Sequence, residues 1–191
     1  MATSRAQRIS IWVIIITMAI GSVGAYFVVV LANNNQSAEQ DQQAELMENY
    51  KKQIAKAAKD NAAASQPLPG YKAKPFNTKV SSLVKTDLVI GTGKLVPKDA
   101  KIDASYFGWT PDGKIFDSSR KKGKNTPATG MELKNGKIID GWINGVPGMK
   151  VGGVRQLTIP AAQAYGKPGS PPLIKPDTPL RFIIRVEKLD T

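Results

Sequence analysis

Two stretches of side-chain alternation constrain most strongly what this chain can fold into. Leu180, Phe182, Ile184 and Val186 alternate with Arg181, Ile183, Arg185 and Glu187, and Ile102, Ala104 and Tyr106 alternate with Asp103, Ser105 and Phe107. A period of two sends successive side chains to opposite faces of an extended strand, so both stretches predict half-buried antiparallel strands. Between them, Thr110-Pro111-Asp112-Gly113 carries proline, aspartate and glycine in the order a tight turn favours. The strand ending near Trp109 is therefore expected to fold back into one carrying Ile115 and Phe116. One short helix is predicted, with Asp140 as N-cap, Trp142, Ile143 and Val146 on one side, and a stop at Pro147-Gly148. Strand character resumes from Val151 to Ile159, with Leu157 and Ile159 on one face. One short helix against a twisted antiparallel sheet makes an α+β domain.

This domain occupies residues 71–191, a common size for one compact unit. Three different segments precede it. Residues 1–10 carry Arg5 and Arg8, and residues 11–32 hold no charge at all. Twenty-two residues at about 1.5 Å each reach about 33 Å, enough for a hydrocarbon core of about 30 Å. The first charges after it are Glu39 and Asp41, so the positive-inside bias predicts a single-pass anchor in the cell membrane. The N-terminus is then cytoplasmic and the C-terminal domain extracytoplasmic. The rival reading is a secretory signal cleaved near Ala32, which would release the domain. Residues 33–70 form a polar spacer. Ser37 and Gln40 can cap a helix rich in Ala, Gln, Glu and Lys, on which Met47, Tyr50, Ile54 and Ala57 form a thin apolar stripe. Pro67, Pro69 and Gly70 then end the helix as a linker does.

The chemistry is narrowed by what is missing. The 191 residues include no cysteine and no histidine, which removes thiol and imidazole nucleophiles, the commonest general base, disulfides and nearly every structural zinc site. No metal and no cofactor are expected. With 27 Lys+Arg against 15 Asp+Glu the formal charge is +12, a balance that suits acidic clients or anionic surfaces. Nucleic acid is not expected as a partner, because outside one loop the basic residues are scattered.

Several blocks, taken together, carry a resemblance. They are Tyr106-Phe107-Gly108, Asp112 to Ser119, Ile138-Ile139-Asp140-Gly141-Trp142, Gly145-Val146, Met149 to Gly152, Leu157 to Pro160, Ala164-Tyr165-Gly166 and Leu180-Arg181-Phe182. In this order and spacing the chain resembles the FKBP family of macrolide-binding peptidyl-prolyl cis/trans isomerases from about Leu83 to Leu189. The resemblance implies a five- to six-stranded antiparallel sheet wrapped around one short helix. It implies an apolar pocket that accelerates rotation about X-Pro bonds in proline-containing unfolded or secreted segments, and that can take a macrolide.

Carried over position by position, the resemblance assigns catalytic roles to Tyr106, Phe116, Asp117, Ile139, Trp142 and Tyr165. It assigns substrate-binding roles to Ile138, Leu173, Ile174 and Phe182, and Met131, the next apolar place on the altered rim, is expected to bind substrate with them. Trp142 is the implied floor under the proline ring, with Tyr106, Phe116 and Phe182 as walls. The backbone N–H of Ile139 and the hydroxyl of Tyr165 are implied donors to a substrate carbonyl, and Asp117 is the single carboxylate, orienting a neighbour or polarising the substrate. The chain departs from the family at the rim. A basic insertion, Arg120-Lys121-Lys122-Gly123-Lys124-Asn125, follows Ser119, and Ala128 or Thr129 stands where many members place an aromatic. The alternative to catalysis is a non-catalytic chaperone or interaction module that holds proline segments in the same groove.

Overall fold

The computed structural model describes residues 37–190. The segment 11–32 lies outside the described residues, and so do both readings of it. Among the described residues no helix is long and apolar enough to cross a membrane.

Helix α1 spans Ser37–Ala64. It begins at the residue expected to open it and runs to Ala64, for about 42 Å at about 1.5 Å per residue. Its surface is supported by pairs such as Glu48–Lys52, 2.7 Å apart at i,i+4. Of the thin stripe Tyr50 is 46% exposed while Met47 and Ile54 are half-buried, and Leu46 beside it is 71% exposed.

Ala57–Thr191 forms one compact unit that holds the whole sheet. The strands are β1 (Val84–Val89), β2 (Lys101–Trp109), β3 (Ile115–Ser118), β4 (Arg120–Lys121), β5 (Lys124–Asn125), β6 (Ala128–Glu132), β7 (Val154–Ile159) and β8 (Leu180–Asp190), with helix α2 (Asp140–Gly145) between β6 and β7. The main sheet has six strands in the order β1-β7-β8-β2-β3, with β6 also pairing β2. All of these pairings are antiparallel. β3 pairs the C-terminal end of β2, through Phe107–Trp109, while β6 pairs its N-terminal end, through Lys101–Ala104. One edge of β2 is thus covered by two successive strands, and the basic insertion between them folds out as the separate β4–β5 hairpin. The predicted turn is present. Thr110 N–H donates to the Lys114 carbonyl at 3.0 Å, and Gly113 takes φ +84°, a left-handed conformation that glycine adopts without penalty.

The alternation in β2 and β8 sorts their side chains onto two faces, but the second face is not the solvated one expected of a half-buried strand. Ile102, Ala104, Leu180, Phe182, Ile184 and Val186 enter the main core with Leu157, Ile159 and Trp142. On the opposite face Phe107, Trp109, Val154 and Ile183 form a second buried cluster with Leu68, flanked by Tyr71, Ala73 and Phe76. Residues 68–70, which read as linker, and residues 71–76, which read as the start of the domain, together form a strap over this outer face. The Trp109 indole N–H donates to the Lys74 carbonyl at 2.9 Å, Phe76 N–H donates to Pro111 O at 3.0 Å, and the Arg181 guanidinium stacks over the Phe76 ring at 4.4 Å. β2 is consequently buried on both faces in its second half. The physical reason is aromatic: a sheet face carrying Phe107 and Trp109 is too apolar to leave in water.

Helix α2 is short and held by packing more than by capping. The sequence pattern points to Asp140 as the N-cap, but Ile139 holds that position, with extended φ −63° and ψ 146° and no side-chain cap bond. The Ile139 carbonyl accepts from Trp142 N–H at 2.9 Å, which makes Ile139 the residue where the helical bonding begins, and Asp140 sits in the first turn where the helix dipole favours an anion. Gly141 and Gly145, one turn apart, let the helix lie directly on β7. A Cβ at Gly141 would collide with Ile159, and one at Gly145 would stand 2.6 Å from Leu157 Cδ1. This close approach seats Trp142 in the core, where it is 2% exposed. β7 begins at Val154 rather than Val151, because Gly152 turns the chain at φ +84°.

Candidate active site

The site is assembled from four elements by backbone geometry. β2 supplies Tyr106, β3 supplies Phe116 and Asp117, α2 and its cap supply Trp142 and Ile139, and β8 supplies Phe182. Phe116 and Asp117 are consecutive, and in a regular strand they would point to opposite faces. The β2–β3 register resolves this: Gly108 pairs Asp117 and Trp109 pairs Ile115, so Phe116 is the extra residue of a bulge. The bulge turns Phe116 and Asp117 to the same side of the sheet. Phe116 packs in the main core, Asp117 meets the Tyr106 hydroxyl, and Ile115 goes to the outer cluster.

The aromatic rings stand nearly perpendicular to one another. Tyr106 meets Trp142 at 5.3 Å and 86°, Trp142 meets Phe182 at 5.5 Å and 86°, and Phe182 meets Phe116 at 5.5 Å and 84°. Edge-to-face contacts match the positive edge of one ring to the negative face of the next, adding about 1 kcal/mol per pair beyond burial. Gly108 makes room for them: a Cβ there would lie 2.5 Å from Phe182 and 2.6 Å from Phe116. The same cluster takes in Met131, Ile138, Ile139, Tyr165 and Leu173 as partly buried members and Ile174 as a buried one. Of the eleven residues that the sequence singled out, ten therefore share one apolar cluster, and Asp117 is bonded to its Tyr106. Ile174 is only 3% exposed, so on the loop it shares with Leu173 it is Leu173 that keeps surface to offer. That loop is closed by Ser170 N–H to Ile174 O at 2.8 Å and Ile174 N–H to Ser170 O at 3.0 Å.

The polar edge of the cluster is built around one carboxylate. The Tyr106 hydroxyl donates to Asp117 Oδ2 at 2.6 Å, Asn61 Nδ2 donates to Oδ1 at 3.1 Å, and Lys121 Nζ lies 3.4 Å from the same Oδ1. Burial pushes the Tyr106 phenol well above its usual range, and the charge and hydrogen bond of Asp117 push it the same way. The Tyr165 phenol is raised by burial first and by the Asp117 charge second. Both phenols therefore stay neutral and keep their donor protons at physiological pH. Among the described residues no acceptor meets the Ile139 N–H, which leaves this amide as a donor at the helix N-terminus.

Two parts of the site carry no sequence signal that reveals their role. Asn61 lies 56 residues before its partner, in a stretch that reads as polar spacer. Ser119 accepts from Tyr106 N–H through its hydroxyl at 2.9 Å and returns its own N–H to Tyr106 O at 2.9 Å, locking the strand that bears the tyrosine. Its place after Ser118 is visible in the sequence, but its bonds to Tyr106 are not. A depression of about 440 Å3 on the outer face, lined by Tyr71, Lys72, Lys74, Trp109 and Arg181 among others, lies across the sheet from the aromatic cluster. It is lined by lysine and arginine cations with no carboxylate, so paired acid and base groups are not brought together there.

A family model described as FKBP-type peptidyl-prolyl cis-trans isomerase matches residues 91–187, just over half of the chain. The chain belongs to this family. It is similar to an FK506-binding protein of Neisseria meningitidis, 39% identical over 110 residues, which are 58% of this chain and 98% of the relative. FK506-binding protein 4 of Dictyostelium discoideum is 42% identical over 118 residues, 60% of this chain, although these are only 31% of that longer protein. Among solved structures, AtFKBP13 superposes with a TM-score of 0.51 at 36% identity, covering 56% of this chain and 93% of that one. A peptidyl-prolyl cis-trans isomerase of Pseudomonas syringae superposes with a TM-score of 0.51 at 31% identity, covering 72% of this chain and 93% of that one. The FKBP match begins at residue 91, downstream of Asn61 and of the strap over the outer face.

Proposed function

We propose that this FKBP-family protein is a peptidyl-prolyl cis/trans isomerase that acts on X-Pro bonds of extracytoplasmic clients. The observation that carries the reading is the perpendicular aromatic set Tyr106, Trp142, Phe182 and Phe116, bordered by a single carboxylate. Amide resonance sets a barrier of about 18–20 kcal/mol to rotation, and X-Pro bonds exchange unaided in tens to hundreds of seconds. No bond is made or broken. As the bond twists, the nitrogen leaves conjugation and the carbonyl oxygen sheds part of its negative charge. The twisted imide is less polar than the planar one, so an apolar, water-poor site favours it. Catalysis is then tighter binding of the twisted form, with each 1.36 kcal/mol of preference giving about tenfold in rate.

In this mechanism Trp142 is the floor for the proline ring, and Tyr106, Phe116 and Phe182 are walls that exclude water. The Ile139 N–H and the Tyr165 hydroxyl donate to substrate carbonyls flanking the proline. Asp117 accepts from Tyr106 and orients it. Ile138, Leu173 and Met131 extend the apolar contact along the bound chain. A macrolide of the kind named in the FK506-binding relatives is the expected competitor for the same surface. Residues 11–32 are read as a single-pass anchor with the domain outside the cytoplasm, supported by the uncharged run and the arginines before it.

Exchange NMR on a short X-Pro peptide tests the activity. Accelerated cis/trans exchange is expected from the wild type, and a large loss from Trp142→Leu, which keeps an apolar side chain but removes the indole floor. No acceleration at stoichiometric protein sinks the catalytic reading and leaves a proline-binding module. For the anchor, an N-terminus at Asn33 in protein extracted from membranes would exclude it.

A further inference from the structure

We propose that Asn61, in the last turn of α1, is a positioning residue of the isomerase site, holding the Asp117 carboxylate in the orientation that accepts the Tyr106 hydroxyl. The proposal rests on the isomerase reading above. A carboxylate turns easily about its terminal bond, because that torsion is broad and two-fold. Here donors on both oxygens stop the rotation: the Tyr106 hydroxyl on Oδ2 and the Asn61 amide on Oδ1. The ring of Tyr106 stands edge-on to Trp142 at 5.3 Å, so the orientation of the carboxylate is passed on to the wall and the floor of the pocket.

Lys121 reaches the same Oδ1, but its side chain is 40% exposed and ends a flexible four-carbon stem at 3.4 Å. Such an ion pair holds geometry weakly. Asn61 is far better anchored. Its own carbonyl accepts from the Ser65 hydroxyl at 2.8 Å, and the chain that follows is stitched to the β4–β5 hairpin. Gln66 N–H donates to Arg120 O at 2.9 Å, Lys122 N–H to Ala64 O at 3.2 Å, and the Ser118 hydroxyl to Gln66 O at 2.7 Å. The Gln66 side-chain oxygen accepts from Gly123 N–H and from the Arg120 guanidinium, each at 2.9 Å. The chain that leaves the helix is thus pinned, with an antiparallel bridge between Ser65 and Lys121, to the hairpin that begins three residues after Asp117. Donor and acceptor belong to one braced frame, and the basic insertion, which interrupts the sheet edge, is what supplies the frame.

Kinetics of the full chain on an X-Pro peptide, resolved into kcat and KM by NMR line-shape analysis at pH 5 and pH 8, test this. Asn61→Ala is expected to lower kcat about fivefold, the size of one hydrogen bond of ordinary net strength, since Tyr106 and Lys121 still hold the carboxylate, with little change in KM. Lys59→Ala, an exposed change on the same helix, is expected to leave both unchanged. Asn61→Asp sets a second carboxyl against Asp117, with Lys121, Tyr106 and Tyr165 the other titratable groups facing it. Two such carboxyls share a proton, so one stays protonated to a higher pH. The variant is expected to approach wild-type kcat at pH 5, where it still donates, and to fall away at pH 8, where Lys121 only reduces the repulsion. A purely structural Asn61 would not produce that pH dependence. Wild-type kcat in Asn61→Ala, a fall that merely tracks thermal stability, or a pH-independent ratio of Asn61→Asp to wild type would overturn the proposal while leaving the isomerase reading intact. No acceleration by the wild type would overturn both.

Discussion

Gly141→Ala should destabilise this domain even though alanine is the better helix former. Two effects oppose each other. Replacing glycine within a helix favours folding by up to about 1 kcal/mol. Against this, the new Cβ would overlap the Ile159 side chain, with Cδ1 at 2.6 Å and Cγ1 at 2.9 Å besides the nearer Cγ2. Ile159 cannot yield, being fully buried and β-branched, with its χ1 rotation restricted. The helix must lift, and overpacking of this kind costs about 1–3 kcal/mol, more when backbone shifts. The steric term wins, for a net loss of about 1–2 kcal/mol. At about 4 °C per kcal/mol for a domain of this size, Tm should fall by about 4–8 °C. Lifting α2 also displaces Trp142 and the Ile139 N–H, so kcat/KM for an X-Pro peptide should fall together with stability. Calorimetry and exchange NMR on the same preparation measure both. A Tm equal to or above the wild type would refute the claim that helix-to-sheet contact at Gly141 seats the pocket floor.

The remaining expectations concern parts of the domain away from the aromatic set. Leu68→Ala should cost about 2–3 kcal/mol in urea unfolding, because Leu68 is buried against Phe107 and Trp109, whereas a true linker residue would cost almost nothing. Arg155→Met should cost about 2 kcal/mol: Arg155 holds Asp87 at 2.6 and 3.1 Å, and its Nη1 caps Gly145 O at 2.7 Å at the C-terminal end of α2. An unchanged midpoint would show that those carbonyls find other partners. Asp112 is held down to about 2 from an ordinary 3.8 by its bonds to Lys114 and Thr110. Its contribution is present above about pH 4 and fades as the pH falls toward 2, and with half the side chain exposed it is worth under about 1 kcal/mol. Asp112→Asn should therefore flatten the acid limb of the stability curve slightly, and less so in high salt.

The features legible in the sequence are local ones. The strands at Ile102–Trp109 and Leu180–Val186, the turn at Thr110–Gly113 and the helix around Trp142 each depend on residues within a few positions of one another, and the pattern of side chains encodes them directly. Family spacing then groups ten of the eleven site residues that the fold brings into one apolar cluster. The bulge is not legible. Phe116 and Asp117 read as opposite faces of one strand, and only the register of β3 on β2 turns them to the same side. The start of the strap reads as a linker because Pro67, Pro69 and Gly70 spell one, while Leu68 and the aromatic residues that follow are recruited by an outer sheet face whose need for cover arises only once the sheet forms.

The sequence by itself determined the α+β class, the hairpin, the short helix and the chemistry of a pocket without cysteine or histidine, because composition and short-range periodicity act within one element. Tertiary structure alone decided which groups meet the Asp117 carboxylate. Asn61 and Asp117 are 56 positions apart and neither announces the other. Their contact exists because the end of α1 is hydrogen-bonded to the β4–β5 hairpin, and a pairing between distant backbone groups is a property of the folded chain as a whole.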